Sequence, residues 1–370
     1  MARTRRGRGE GSIYQRGDGY WCANISVGFS DSGKRRRKTV YGATKAEVQT
    51  KLRTVANEVS AGGPVETSRL TLGEYLDRWL KIIAQSIAPN TLARYKGIVK
   101  NQLKPYLGGV RLVKLEPIHV EQLYVTLDGQ KCSARSIQLS GVTLGKALQH
   151  AIKLKLITFN PVRGIAKPRV VKKEMVVWDA ARVATFLKAS KDDRLYPMYV
   201  IALAGGLRQG ELFALKWSDV DFDGSCMTVQ RSLEEINGVV RLKETKNGKA
   251  RRVDLPVFAM SALRSHRAAM LAEGNIGSAV FCAQEGGYLL KANFLRRSFV
   301  PLIVAAEVPR IRFHDLRHTH ATMLLQAGEN IKVVSERLGH ASVKITLDTY
   351  AHVLPTMQKA AADKMQKLLG

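Results

Sequence analysis

A handful of polar residues in the C-terminal half of the chain interrupt otherwise apolar stretches. Arg208 sits in "AGGLRQGELFAL", directly after an apolar run and a double glycine. An arginine placed so deep must meet an anion, because an unpaired buried charge is prohibitive. Glu211, three residues on, is the nearest partner, and a plain structural ion pair is the competing explanation. His314 and Arg317 stand at i and i+3 near a helix start, so they project side by side. His340 follows "ERLG", where Gly339 reads as a helix stop. Tyr350 lies ten residues further, in the helical stretch "ITLDTYAHV". A hairpin "TKNGKARRV" adds Lys246 and Lys249.

Each residue alone has a dull explanation, but the set has a chemistry. Two arginines can clamp the non-bridging oxygens of a phosphodiester and neutralise its transition state. A tyrosine is a poor nucleophile at its free pKa of about 10 and needs a cationic, hydrogen-bonding site. A histidine can take its proton, and a lysine or histidine can protonate the departing 5′-oxygen. Phosphodiesters are so inert that the barrier must fall by roughly 20 kcal/mol. The inventory points to covalent attack on DNA.

A metal site is the rival reading, since His314 and His318 are four apart, on one helical face. His318 and His320 differ by two, however, and point to different faces. The HExxH carboxylate is missing too, because Asp315 and Leu316 follow His314. No metal and no cofactor is expected. His318 and His320 are expected to pack around the site and orient it.

Composition supports a polyanionic partner. The 370 residues hold 59 Lys+Arg against 31 Asp+Glu, a net charge of +28, and nucleic acid is the leading candidate for such an excess. No run of 18 apolar residues and no apolar N-terminal signal core is present, so neither a membrane span nor a secretory signal is expected. Cys22, Cys132, Cys226 and Cys282 are far apart and form no CxxC pair. That argues against structural zinc or a disulfide framework and fits a reducing cytosol.

Three segments must position these residues. Residues 1–62 alternate apolar and polar positions around "GDG" and "DSGK", which predicts a three-stranded meander, then a helix capped by Thr44. The run Lys34, Arg35, Arg36, Arg37, Lys38, on a basic sheet with Tyr20 and Trp21, is a candidate DNA contact; a solvated edge is the alternative. Residues 69–165 read as about four helices. One has an apolar stripe at 72, 75, 76, 79, 80 and 83, the next opens with a cap at Asn90 and stops at Gly108, and the last ends at Asn160-Pro161. Arg94, Lys96, Lys100 and Lys104 share a charged face, usually just solvated, which the whole-chain excess makes a candidate phosphate surface. Residues 175–370 mix helices with a few strands: Asp179 caps a helix, "YPMYVIALAGGL" is a buried one, and strands turn at two "NG" pairs.

The sequence closely resembles the tyrosine site-specific recombinases, the phage-integrase family. "GGLRQGELFAL", "TKNGKARRVDLP", "FHDLRHTHAT", "LGHAS" and "TLDTYAHV" match in the family's order and approximate spacing. The resemblance implies a multidomain fold: a small β-rich arm-binding domain, an all-α core-binding domain, and a mainly-α catalytic domain with a small β-sheet. It implies Tyr350 as the nucleophile of a 3′-phosphotyrosine intermediate, Arg208 and Arg317 on the scissile phosphate, and Glu211 orienting Arg208 or its surroundings. His314 would be the general base, His340 a hydrogen-bond donor to the phosphate, and Lys246 the general acid, with Lys249 its rival. The family's usual proline in the hairpin strand is Asp254 here, a departure expected to affect packing only.

The implied activity is integration, with excision as its reversal, of a phage or other mobile element at double-stranded attachment sites, without ATP or metal. An integrase of a conjugative element, or a resolvase, would share this chemistry, as would a type IB topoisomerase. A catalytically silent DNA-binding regulator is a separate class, disfavoured because the tyrosine and both arginines are present. Relatives work as tetramers on DNA, often with a host DNA-bending protein and an excision factor, on the bacterial nucleoid in the cytoplasm. The stripe Met357, Ala361, Met365 and Leu368 would dock the terminal helix on a neighbouring protomer, or pack within its own chain.

Overall fold

The computed structural model describes residues 12–29, 35–60, 69–171, 175–236, 238–244, 250–275, 277–351, 362–363 and 365–369. They fall into two compact units, Met1–Lys172 and Lys173–Gly370.

The first unit opens with the expected meander, β1 (Ser12–Gln15), β2 (Trp21–Phe29) and β3 (Arg35–Gly42), all antiparallel. The helix α1 (Lys45–Ser60) follows; the Thr44 hydroxyl accepts from Glu47 N at 3.2 Å, as predicted for its cap. Cys22, Ala23 and Ile25 are buried in this sheet, and Val48 and Val55 in the helix. Lys34 lies outside the described residues; Arg35 to Lys38 belong to β3, where Arg37 is exposed. Tyr20 is exposed, and the Lys45 ammonium stands over the Trp21 ring at 5.7 Å.

The helical part begins with α2 (Leu72–Ile83), whose start is a reciprocal cap between Thr71 and Glu74. Leu72, Tyr75, Leu76, Trp79 and Leu80 are buried along it, as the stripe predicted. The next helix, α3 (Pro89–Ile98), starts after Ala88 with no side-chain cap, so Asn90 is not the cap. Pro89 stands in the first turn instead, where a missing N–H leaves nothing unpaired and the fixed φ suits the helix. The chain continues through a π-helical turn, Val99–Leu103, into α4 (Lys104–Leu107), which stops at Gly108 as expected. Two more helices complete this part, α5 (Pro117–Gly129) and α6 (Ala134–Lys153). The last ends well before Asn160-Pro161, at Lys153, with Lys155 at φ 56°. Asn160 serves the following loop, donating to Gly145 O at 3.0 Å and accepting from Val162 N at 3.1 Å. Arg94, Lys96 and Lys100 are exposed, whereas Lys104 pairs with Asp77 at 2.8 Å.

The second unit starts with α7 (Ala180–Ala189), capped by Asp179, and α8 (Tyr196–Gly205), which is buried as its composition predicts. After α9 (Gln209–Phe213) come β4 (Val220–Asp221), β5 (Cys226–Val229), β6 (Arg231–Ile236), β7 (Val239–Glu244) and β8 (Arg251–Asp254). They form a β4-β5-β8 sheet and a β6-β7 hairpin. Gly238 at φ 78° makes the hairpin turn, and the second "NG" pair lies outside the described residues. The long α10 (Val257–Ala272) leads to α11 (Lys291–Phe294) and α12 (Val300–Ala305). The unit closes with α13 (Asp315–Gln326), α14 (Ile331–Leu338) and α15 (Val343–Tyr350). Aromatic side chains fill the core, with the Phe299 and Phe313 rings edge-on at 5.1 Å. A smaller cluster holds Ala321, Leu325, Val334, Leu338 and Tyr350. Asp254, where the family's proline would stand, is exposed, pairs with Arg252 at 2.9 Å and closes β8 opposite Cys226.

No described helix is long and apolar enough to cross a membrane. All four cysteines are free, Cys132 half-buried and the others buried. In the C-terminal stripe, Met357 and Ala361 lie outside the described residues; Met365 and Leu368 are exposed on helical backbone.

Candidate active site

A helix end organises the site. The last carbonyls of any α-helix lack intrahelical partners. At the end of α14, Gly339 adopts the left-handed conformation at φ 65°, the expected stop. Its N–H donates to Glu336 O at 2.9 Å and that of His340 to Ser335 O at 3.0 Å, the backbone closure that a left-handed glycine permits. The next three carbonyls are each taken by a different arginine. Arg251 Nε donates to Arg337 O at 3.0 Å, Arg317 Nη2 to Leu338 O at 2.6 Å and Arg208 Nη2 to Gly339 O at 2.9 Å. The negative end of the helix dipole thus gathers the cations. A β-carbon at Gly339 would meet the Arg251 guanidinium at 3.0 Å.

A single carboxylate ties two of these arginines together. Arg208 opens α9, and its Nη1 donates to Glu211 Oε1 at 2.8 Å while its backbone N–H donates to Oε2 at 2.9 Å. Arg251 forks onto both oxygens, at 3.0 and 2.6 Å. Burial works to raise the Glu211 pKa, but the Arg251 hydrogen bond and charge, with Arg208 behind them, hold it down to about 2. Glu211 therefore stays ionised beneath the arginines and fixes their planes, as expected for Arg208. Arg317, buried on α13, adds a bond from Nη1 to Gly206 O at 2.8 Å. Burial and the nearby Arg208 push its pKa down to about 9, so it remains a cation at neutral pH. A guanidinium carries five N–H groups, so each arginine keeps donors beyond those engaged here. More than a third of the Arg208 side chain is exposed, leaving it open to an anion.

The histidines divide as their spacing implied. His320 turns away from Tyr350: its Nδ1–H donates to Leu203 O at 2.7 Å, and its Nε2 accepts from Arg337 Nε at 3.3 Å. His340 Nδ1 pairs with the buried Thr346 hydroxyl at 2.7 Å, which sets its ring at the mouth of α15. Burial, then the charges of Arg317 and Arg208, lowers the His340 pKa to about 4. His314 stands at the start of α13 without a side-chain capping bond, and its ring meets that of His318 edge-on, centroids 5.2 Å apart. Tyr350, the last residue of α15, is fully buried, and its hydroxyl lies 2.8 Å from His318 Nδ1. Burial pushes the phenol up to about 12 against the pull of Arg317.

Arg208, Glu211, Arg317, His340 and Tyr350 thus converge on the α14–α15 turn, with His314 one ring away. Lys246 and Lys249 lie outside the described residues. Sequence reasoning missed Arg251, which sits in an undifferentiated basic run 40 residues from Glu211. Arg337 was missed as well; its Nη2 braces Ala204 O at 2.7 Å and Asp254 O at 2.8 Å.

This constellation can be compared with known proteins. Residues 178–357 match the phage integrase family, and residues 71–127 match the phage integrase N-terminal SAM-like domain. The chain belongs to the tyrosine recombinase family. A "Tyrosine recombinase XerC-like" protein of Caldanaerobacter subterraneus is 29% identical over 95% of this chain and 97% of its own. The ICEBs1 integrase of Bacillus subtilis is 26% identical over 97% of this chain and all of its own. Among solved structures, the Tn1549 transposon integrase in complex with transposon right end DNA shares the fold. Its TM-score is 0.69, at 22% identity over 81% of this chain and 100% of that one. A lambda integrase dimer bound to a COC′ core site gives 0.59 at 20% identity, over 91% and 93%. As a tyrosine recombinase, the chain is a site-specific integrase that breaks and rejoins DNA strands, by the family's 3′-phosphotyrosine chemistry.

Proposed function

We propose that Tyr350 is the nucleophile and that the arginines at the end of α14 hold the scissile phosphate. The observation that carries this reading is the α14 turn itself, where Arg208 and Arg317 are fixed by backbone carbonyls within one helix turn of His340. In the reaction, the bond from the Tyr350 oxygen to phosphorus forms as the bond to the 5′-oxygen breaks. The phenol proton leaves to a histidine, and a lysine, Lys246 or its rival Lys249, protonates the 5′-oxygen. The family resemblance points to His314 for this step, and His318 stands next to it, ring to ring. His340, held by Thr346, donates to a non-bridging oxygen, and Glu211 holds Arg208 in plane. The phosphodiester energy is kept in the tyrosyl link, so strand exchange requires neither ATP nor metal.

The substrate is a pair of double-stranded attachment sites, and the segment 1–62, which contains the meander β1–β3 and α1, is the arm-binding domain. Arg37 and Lys38, with the other basic residues of that run, and Arg94, Lys96 and Lys100 contact DNA. A lambda integrase tetramer bound to a Holliday junction has this fold, which supports a tetramer here, with the exposed Met365 and Leu368 docking on a neighbour. The cell's cytoplasmic DNA is the site of action, and a host bending protein and an excision factor, as used by relatives, are the accessory partners to look for.

The test is an adduct trap in EDTA, using nicked duplexes that lose the 5′-hydroxyl strand. An SDS-stable protein–DNA band that disappears in Tyr350→Phe is expected. A band of unchanged yield in that variant would move the nucleophile elsewhere.

A further inference from the structure

The group that touches the nucleophile is not the histidine assigned by resemblance. Tyr350 Oη lies 2.8 Å from His318 Nδ1, with ring centroids 5.7 Å apart. His314 stands behind, edge-on to His318, and makes no side-chain hydrogen bond among the described residues. Tyr350 is fully buried, so no bulk water reaches the phenol in this arrangement, and His318 is the hydrogen-bonding partner it has.

We infer that His318 is the residue that takes the Tyr350 proton as the phosphotyrosine forms, with His314 acting behind it as a positioning residue. This rests on Tyr350 being the nucleophile. With the ring proton on Nε2, the neutral imidazole presents a lone pair on Nδ1 to the phenol O–H. As the oxygen attacks phosphorus, that proton passes to Nδ1 and His318 becomes imidazolium. Religation reverses the transfer: the 5′-hydroxyl gives its proton back to the lysine as it attacks phosphorus, the bond to the Tyr350 oxygen breaks, and His318 Nδ1–H returns its proton to that oxygen.

The surroundings keep His318 neutral at rest. Burial lowers its pKa, Asp315 opposes that, and Arg317 and Arg312 lower it further. Arg312 is itself held by a fork onto Asp315, with contacts at 2.7 and 3.0 Å. The other ionisable groups facing it are His314 on the same helix, Tyr350 on α15 and His340 on the turn before α15. A bound phosphate adds a negative charge that favours the imidazolium, so the base strengthens when substrate arrives. A base within hydrogen-bond reach of the proton it removes meets the geometric requirement for general-base catalysis.

The experiment is single-turnover adduct formation by the full chain between pH 5.5 and 9.5. The probe is a nicked duplex recovered by selecting random-sequence duplexes for SDS-stable adducts with wild-type protein. Wild type is expected to rise to a plateau with an inflexion below neutrality. His318→Asn keeps a hydrogen-bonding partner but removes the proton acceptor. It should bind DNA normally, fall about 100-fold in rate at pH 7, and climb steadily with pH instead of levelling. A fluorinated, more acidic tyrosine at position 350 should restore most of that loss while changing wild type little, a rescue that a purely structural defect would not show. His314→Gln should lower the rate, as a positioning residue does, while its pH profile still levels off as in wild type. His318→Asn with wild-type rate and profile, or loss of the plateau in His314→Gln alone, overturns the assignment. If His318→Asn does not fold, His318→Gln and the fluorinated wild type decide it. An inflexion that moves with phenol acidity means the phenol itself titrates, against the proposal; one that stays supports a histidine. No adduct with wild type on any duplex would instead overturn the nucleophile assignment on which this rests.

Discussion

Two groups of cations in this chain look alike in the sequence and are built in opposite ways. Arg208, Arg317 and Arg251 are tied to successive carbonyls of one helix end and, for two of them, to a buried glutamate. Arg94, Lys96 and Lys100 stand exposed on a helical surface. The first group is preorganised: its planes are set before any phosphate arrives, so little reorganisation remains when charge develops. The second, if it meets DNA as proposed, is a solvent-screened field whose attraction for a polyanion comes from counterion release. Chemistry should therefore depend on the first and affinity on the second.

That contrast can be broken most sharply at Arg208. Arg208→Lys keeps the charge but loses the planar fork, and the adduct rate should fall about 100- to 1,000-fold with affinity almost unchanged. Arg251→Met strands Glu211 against one partner and uncaps Arg337 O. Breaking a buried pair of this kind costs about 3 kcal/mol, read as a lower denaturant midpoint, and Lys96→Ala should leave that midpoint where it is. Uncoupling of the two regions would fail if both variants unfolded alike.

Acid separates the regions by titration. The folded pKa values of His320 and His340 are about 4, below the 6.5 of an unperturbed histidine. The unfolded chain therefore binds more protons in this window. Their stabilising effect is fully present above pH 6.5 and is lost as pH falls from 6.5 to 4. For His320 the cause is its burial and the Arg337 guanidinium facing its Nε2. Thermal midpoints of the free protein should fall over that range, more than in His320→Gln, while Glu211 stays ionised until about pH 2. Midpoints flat between pH 6.5 and 4 would contradict these burials. The smallest effect belongs to the exposed face. Lys96→Ala and Lys100→Ala should each weaken DNA binding modestly and reduce the log–log salt slope by about 0.9. An unchanged slope would remove that residue from the phosphate contacts.

The two regions also differ in how much of them the sequence discloses. Arg208, Glu211, Arg317, His340 and Tyr350 are readable because polar residues in apolar runs demand a reason, and Gly339 marks a helix stop on its own. Arg251 carries no such mark: it is one of two adjacent arginines in a basic run, and only folding, which pairs β8 with β5, brings it to Glu211. Local spacing tells which helix face His318 shares with His314, but its partner Tyr350 is 32 residues away. The helical part shows the same limit. The stripe of α2 predicted its buried face, whereas α3 starts at a proline rather than at the Asn90 cap, and α6 stops at a left-handed Lys155 that no pattern announces. Periodicity reports on faces; ends and long-range partners depend on tertiary contacts.

The most direct measurement compares Arg208→Lys with Lys100→Ala on one nicked duplex, recording equilibrium affinity and single-turnover adduct rate for each. The account predicts that Arg208→Lys loses rate and keeps affinity, and that Lys100→Ala loses affinity with a shallower salt slope. Rate and affinity falling together in both variants would show that the cations form one undivided surface, contradicting the division between preorganised chemistry and screened attraction.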